Sequence, residues 1–470
     1  MNPIPASRCR KLILTIAAAV LLIPAAAFLL RHMLFAPAAR DYRRIASEEY
    51  DTVLLSMFPA DSYREEEFAY YRGMTLFKAS SLIPDISVME KYMERVAKSG
   101  NTVTTAYLGI RPDKADPRKV QTLAGRYPST VFEIILSCPS AEYWQSLSEE
   151  EYAQILSSYQ IFLSAVPDIS EANFYFFGAE EWLVGNPGNY DDQWTTAESV
   201  STTIMLNSDR DHEYLVTEKN AASLCGALEE LTGRLRRTPE SFPDLSEYCV
   251  VFFGDSVIGN FTDSTSIPGV VAGFSGARVF NCGLGGDSAA LGPESPASLS
   301  VVADAFSRGD LSGLPENTQV YRGMSSYLET APDWRKLYFV INYGINDYFT
   351  GCPVDSAQNP KDILTYAGAI RTAVDTLRSR FPEAGIILCA PNYCYYFLEG
   401  EEPHGEGGHV LTDYVEAVCA LSRELDTGLL DTYHQFDVGL HNWQQYLPDQ
   451  VHPNAAFRYL IGKKLLELIR

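Results

Sequence analysis

The amino-acid sequence predicts an α/β fold: two successive, mostly parallel sheets covered by helices, behind an N-terminal transmembrane helix. Three observations carry this. Short β-branched and aromatic runs alternate with amphipathic helical stretches over residues 46–470. A charged stretch with two prolines, Arg234 to Glu247, interrupts that alternation and marks a domain boundary. Leu12 to Leu30 is apolar and carries no charge.

That apolar run is taken first, because it decides the compartment. As a helix its 19 residues span about 28 Å, close to a bilayer core. Pro24 is tolerated in such a helix. A buried core helix is a poor alternative, since no charged face meets water. Arg8, Arg10 and Lys11 precede the run and hold the N-terminus in the cytoplasm. Cleavage behind Ala25-Ala26-Ala27 would instead release a secreted protein. The apolar run continues through Phe28-Leu29-Leu30, which favours a retained signal anchor. The expected layout is therefore residues 1–11 cytoplasmic, 12–30 transmembrane anchor and 31–45 juxtamembrane linker. Residues 31–470 then lie on the extracytoplasmic side of the cell membrane.

Charge agrees with an outward-facing body. The chain carries −23 overall, while residues 1–44 hold seven Lys/Arg and one acid, leaving −29 on the remainder. So acidic a body repels nucleic acid and anionic headgroups, so no nucleic-acid partner is expected. Nine cysteines include no CxxC, so neither a zinc site nor a dithiol redox site is indicated. Cys138, Cys249, Cys389 and Cys419 read as small core residues, and Cys389 with Cys394 is a candidate bridge. Seven histidines show no HExxH spacing. His404 and His409 lie in a Gly-rich acidic loop, more often solvated than metal-bound.

Within residues 46–240 the expected strands are 51–58, 102–110, 130–138, 173–178 and 202–206. Between them, Asp85 caps a helix whose inner face is Val88, Met89, Tyr92, Met93 and Val96, ended by Gly100. Ser148 and Glu151 form a capping box ahead of Tyr152, Ile155, Leu156, Tyr159 and Leu163. The second domain, 246–470, repeats the alternation with strands CVVFF, ARVFNC, KLYFVIN, GIILCAP and GLLDTY. Asn359-Pro360 starts a helix with Ile363, Ala367, Ile370, Val374 and Leu377 inward. The last helix follows Asn454 and carries Phe457, Leu460, Ile461, Leu465 and Leu468.

Chemistry gathers at the strand ends of this second domain. Ligands of parallel sheets bind outside the carboxyl ends of the strands. There the first strand runs into Gly254-Asp255-Ser256, with Gly254 allowing a sharp turn. A lone serine is ordinarily solvated or a helix cap; as a nucleophile it needs a base, an orienting group and oxyanion donors. The second strand leads to Gly285-Gly286, the third to Asn346, and Asp449-Gln450-Val451-His452 precedes the last helix. Each piece alone has a plain structural use: glycines make turns, Asn caps, His-Pro opens a helix. Four in order, each at a strand end, point to one site.

These blocks resemble those of the SGNH hydrolases, or GDSL esterases: GDS with Ser256, NCGLGGDS with Gly286, GIND with Asn346, and DQVH with Asp449 and His452. The resemblance covers about residues 248–470 and implies a flavodoxin-like three-layer α/β/α fold. It implies Ser256 as nucleophile, His452 as general base and then acid, and Asp449 as the group orienting the imidazole. The Ser256 and Gly286 N–H groups and the Asn346 side chain would form the oxyanion hole, with Gly285 replacing Gly286 if the loop shifts by one. The sequence GDSVI lacks the GxSxG elbow of α/β-hydrolases. No metal or organic cofactor is implied.

The expected activity is a membrane-anchored serine esterase removing O-acyl groups, acetyl first, from a glycan. An O-acyltransferase with the same triad, a lipid esterase or lysophospholipase, and a non-catalytic binding protein are the alternatives. Tyr393, Tyr395, Tyr396 and Phe397 follow the fourth strand and read equally as sugar-stacking or core residues. The first domain shows none of the blocks. Pro59-Ala60-Asp61-Ser62 faintly echoes GDS, so a degenerate copy and a glycan-binding role both stay open. Glu180 and Glu181, with Trp182, Tyr190 and Trp194 nearby, read as a rim rather than a catalytic carboxylate pair.

Overall fold

The computed structural model describes residues 40–57, 76–79, 83–197, 200, 204, 214–237, 241–292, 295, 297–310, 313–314, 330, 333–395 and 408–469. The expected anchor at 12–30 lies outside these residues. Among the described residues no helix is long and apolar enough to cross a membrane. The chain forms two compact units, and their sequence segments interleave. One takes its described residues from Met1–Pro139, Leu147–Ala179 and Trp194–Glu230; the other consists of Ser140–Ser146, Glu180–Gln193 and Leu231–Arg470.

The first unit is built on five parallel strands: β1 Thr52–Ser56, β2 Leu76–Lys78, β3 Thr105–Ile110, β4 Val131–Leu136 and β5 Asn173–Phe176. Their order is β2-β1-β3-β4-β5. The three-residue edge strand β2 is too short for its periodicity to show in the sequence. The strand expected at 202–206 lies outside the described residues except for Ile204, which is helical and buried. A short apolar run does not by itself separate strand from buried helix. Helix Ile86–Lys98 starts where the Asp85 carboxylate accepts the Val88 N–H. It buries Ile86, Met89, Tyr92, Met93 and Val96, each contributing roughly 1.5–3 kcal/mol. Val88 is only half-buried, and Ile86 takes the inner position instead. Ser148 and Glu151 close the expected capping box on helix Glu149–Ala165.

The second unit carries β6 Cys249–Gly254, β7 Arg278–Asn281, β8 Leu337–Asn342, β9 Gly385–Cys389 and β10 Gly428–Leu430, all parallel. Their order is β10-β9-β8-β6-β7. Every residue of β6 is buried, as its unbroken apolar run requires of a central strand covered on both faces. By chain position both sheets follow one pattern, second-first-third-fourth-fifth. In this pattern successive strands are added on opposite sides of the first, and the crevice at that reversal binds ligands. Ser256 follows β6, the strand at the reversal.

Three sequence expectations change here. The helix expected from Asn359-Pro360 begins at Tyr366, capped by Thr365. Residues 359–362 form a turn closed by the Asp362 N–H on the Asn359 carbonyl, 2.9 Å. The last helix, Ala455–Leu466, is capped by Asn454 as expected. It buries Arg458 and Tyr459, however, and leaves Leu460 40% exposed. Cys389 and Cys394 are both buried and are not joined by a disulfide.

The inserted segment 180–193 explains the acidic pair of the first half. Glu181 accepts from Arg234, Lys463 (3.2 Å) and Tyr459 (3.3 Å), all within the second unit. Burial works to raise its pKa, but the two cations hold it below the ordinary carboxylate value. Glu181 is therefore engaged in packing the last helix. Nearby, the fully buried Asn186 donates to the Ser264 carbonyl at 2.9 Å.

Candidate active site

Ser256 stands two residues beyond the end of β6, at the start of the short helix Ser256–Gly259. The preceding Asp255 caps that helix by accepting the Val257 N–H at 2.9 Å. Gly254 is required by closeness rather than by an unusual φ. A Cβ there would lie 2.6 Å from Ile258 Cγ1 and 2.7 Å from the Asn342 carbonyl oxygen. The absence of a side chain lets β6 turn directly into the helix and lifts the serine to the rim.

His452 comes from the turn before the last helix, and it reaches Ser256. Its Nε2 is 2.8 Å from Ser256 Oγ, and its Nδ1 is 2.6 Å from Asp449 Oδ2. The other Asp449 oxygen accepts the His452 N–H (2.7 Å) and the Val451 N–H (3.1 Å). Burial acts to raise the Asp449 pKa, but these donors outweigh it and hold the carboxyl at about 2. An ionised carboxylate only accepts, so the imidazole proton sits on Nδ1. Nε2 is left with a lone pair that faces the Ser256 hydroxyl.

Gly285, Gly286 and Asn346 occupy the neighbouring strand ends. A Cβ on Gly285 would lie 3.9 Å from Ser256 Cβ, so this loop passes directly beside Ser256. Gly286 has φ +85°, the left-handed region that favours glycine. Asn346 lies in the first turn of helix Ile345–Thr350. Its Nδ2 donates to the Asp287 carbonyl at 2.9 Å, which ties it to the glycine loop and leaves its second N–H unused by that bond.

Several residues that position this site were not singled out from the sequence. Asp347 has no exposed surface, and its two oxygens accept the Ala289 and Ala290 N–H groups, each at 2.9 Å. It thereby clamps the glycine loop to the helix bearing Asn346. Burial lifts its carboxyl to about 6, against the pull of those N–H donors. Burial likewise lifts Asp287 to about 6 and Asp255 to about 7. The buried Asn392 donates to the Val451 carbonyl at 3.1 Å, and the Tyr395 N–H donates to the Gln450 carbonyl at 2.9 Å. Arg458 is 3% exposed. It donates to the Pro453 carbonyl (2.6 Å), the Thr265 carbonyl (2.8 Å) and Thr265 Oγ1 (3.1 Å). Its guanidinium also lies 3.6 Å over the Phe261 ring. One cation thus braces the chain next to His452 against the chain that follows Ser256.

Of the expected aromatic group, Tyr393 is buried core, while Tyr395 stacks on Trp443 with ring centroids 4.2 Å apart. Tyr396, Phe397 and His404 lie outside the described residues. His409 pairs with Asp413 at 3.2 Å, and no group able to hold a metal ion occurs among the described residues.

Comparison with known proteins finds likenesses in the second half of the chain. The model of the GDSL-like lipase/acylhydrolase family matches residues 252–457. No curated protein matches the chain. Among solved structures, a protein from Lactobacillus plantarum is 19% identical with a TM-score of 0.37, covering 48% of this chain and 96% of its own. The native aryl esterase of M. smegmatis is 19% identical with a TM-score of 0.32, covering 47% of this chain and 98% of its own. A member of the lipolytic G-D-S-L family from Veillonella parvula is 15% identical with a TM-score of 0.32, covering 47% and 97%.

Proposed function

Residues 252–457 belong to the GDSL-like lipase/acylhydrolase family of SGNH serine ester hydrolases, and from that premise we propose that Ser256, His452 and Asp449 act together as its catalytic triad. The observation that carries this is the unbroken hydrogen-bonded chain from Ser256 Oγ through the imidazole to Asp449, at 2.8 and 2.6 Å. A serine hydroxyl is a weak nucleophile until a base takes its proton. His452 Nε2 takes it as Oγ attacks the ester carbonyl, and Asp449 balances the imidazolium that forms.

Negative charge then develops on the carbonyl oxygen. The Ser256 and Gly286 N–H groups and the free N–H of Asn346 are the donors we assign to it. Loss of one such donor costs about 2.7–4 kcal/mol of transition-state stabilisation. His452 returns the proton to the departing alcohol, leaving an acyl-serine. Water, activated by the same imidazole, releases the acid. Each step uses backbone and side-chain groups of this chain, and water.

For the substrate we propose a small O-acyl group, acetyl first, on a glycan, removed by an anchored extracytoplasmic enzyme. The apolar run at 12–30 and the −29 charge on residues 45–470 support this reading. The test follows p-nitrophenol release from the acetyl and octanoyl esters by the full chain in mild detergent, wild type beside Ser256→Ala. Acetyl turnover that vanishes in the variant is the expected result. Faster octanoyl turnover would move the substrate to lipids. Equal turnover in both proteins would remove Ser256 from the mechanism.

A further inference from the structure

One side chain at the mouth of the site has no part in the mechanism above. Asn260 ends the short helix that begins with Ser256, its N–H bonded to the Ser256 carbonyl at 3.0 Å. The residue is exposed. Its side chain turns back toward the chemistry: Nδ2 is 3.4 Å from His452 Nε2. Its Oδ1 lies against the glycine loop, 3.1 Å from where a Cβ of Gly285 would be. The amide therefore bridges the base and the loop expected to bind the oxyanion.

We propose that Asn260 is a further catalytic residue, one that hydrogen-bonds the alcohol half of the ester. This rests on the esterase reading above. The leaving oxygen must come within hydrogen-bond reach of Nε2 to receive its proton. The Asn260 amide, 3.4 Å from that nitrogen and on an exposed residue, is a donor within reach of an oxygen approaching it. Before reaction, Nε2 has a lone pair that the Asn260 N–H faces, though the Ser256 hydroxyl is closer at 2.8 Å. Once Nε2 holds the proton it no longer accepts. The Asn260 N–H then loses that partner just as negative charge grows on the departing oxygen beside it. The contact is stronger in the transition state than before it, which is the condition for accelerating the step. No bond other than those of the ester hydrolysis forms or breaks. In deacylation the attacking water or hydroxyl occupies the same place, and Asn260 orients it in the reverse sense.

The readout is dependence on the leaving group. A p-nitrophenolate departs with little help from a proton donor, whereas an alkoxide needs it. The full chain and its Asn260→Ala variant are compared on p-nitrophenyl, phenyl, trifluoroethyl and ethyl acetates. The expected result is a loss of kcat/KM that grows with the basicity of the leaving alcohol and is smallest for p-nitrophenyl acetate. For the alkyl esters kcat/KM falls about three- to tenfold, the range of one neutral hydrogen bond. Asn260→Asp fills the same space without an N–H and is expected to repeat that pattern. An equal loss across the series would mean a structural role only and overturn the proposal, as would no loss, or alkyl activity retained by Asn260→Asp. Failure of the triad reading is seen separately, as p-nitrophenyl acetate turnover that survives Ser256→Ala.

Discussion

Replacing Asp347 with asparagine separates the stability of this site from its activity. The change keeps the shape of the side chain and removes one of two acceptors. One oxygen still receives an N–H from Ala289 or Ala290; the new amide NH2 faces the other N–H with nothing to accept it. Losing a hydrogen bond to a charged group costs about 1.5–3 kcal/mol, and stranding a buried donor about 1–3 more. Against this stands a relief. Burial raises the Asp347 carboxyl from 3.8 to about 6, so holding it ionised at neutral pH costs about 3 kcal/mol that asparagine does not incur. The net loss at pH 7 is then about 0–3 kcal/mol. The sign with pH follows from the raised value. Between about pH 4 and 6 the native state binds more protons than the unfolded one, so this carboxyl's contribution falls as pH rises through that window. Asparagine has no such dependence, and the gap between the two proteins should narrow from pH 5 to pH 7 in urea titrations. Activity has no matching relief. The freed loop carries Gly285 and Gly286, and displacing the oxyanion donor proposed there should lower kcat about 10²–10³-fold. A variant whose kcat on p-nitrophenyl acetate stays within threefold of wild type would refute the clamp.

Two further outcomes follow from the same geometry. Asp449→Asn puts an N–H₂ group where the imidazole Nδ1–H needs an acceptor, and kcat should fall about 10³–10⁴-fold. Its carboxyl is held at about 2, so its stabilising share is present above about pH 4 and lost as pH falls toward 2. That share is small for a side chain 56% exposed, so thermal melting at pH 7 should barely move. Arg458→Met leaves the Pro453 and Thr265 carbonyls without their donor, an expected loss of about 2–4 kcal/mol by chemical denaturation. Lysine should recover only part of it, since one ammonium does not reproduce a planar fork spanning three acceptors.

What the sequence disclosed and what it hid divide along physical lines. Central strands such as β6 are long apolar runs, visible because burial on both faces demands them. Caps such as Asp85 and the Ser148–Glu151 box are local chemistry and show locally. Ser256, Asp449 and His452 were legible because each lies at a strand end or helix start. Asp347 stood beside Asn346 in a quoted motif and was passed over, since a first-turn aspartate ordinarily faces water and favours the helix dipole. Arg458 gave no signal, because arginine on a helix is ordinarily solvated and only tertiary partners justify its burial. The later start of helix Tyr366–Arg380, capped by Thr365 rather than Asn359, was hidden for a similar reason. Asn-Pro is a sound helix start, but the turn at 359–362 and the Thr365 cap together set the start later.

The interleaving of the two units bears on how the protein is made. Glu181 reaches Lys463 across 282 residues. At roughly 5–20 residues per second of synthesis, that partner emerges about 15–55 seconds after Glu181 does. Asn186 waits for Ser264 over a shorter interval. The segment 180–193 thus leaves the ribosome well before the surface it packs on, and the second unit closes around it late. Asp449, His452 and Arg458 all lie in this late-made stretch, and His452 follows Ser256 by 196 residues, so the nascent chain holds that serine without its imidazole partner for about 10–40 seconds. An expression fragment cut at residue 246 would also discard Glu181 and Asn186, leaving Lys463 and the Ser264 carbonyl without these partners in a domain that looks self-sufficient in the sequence.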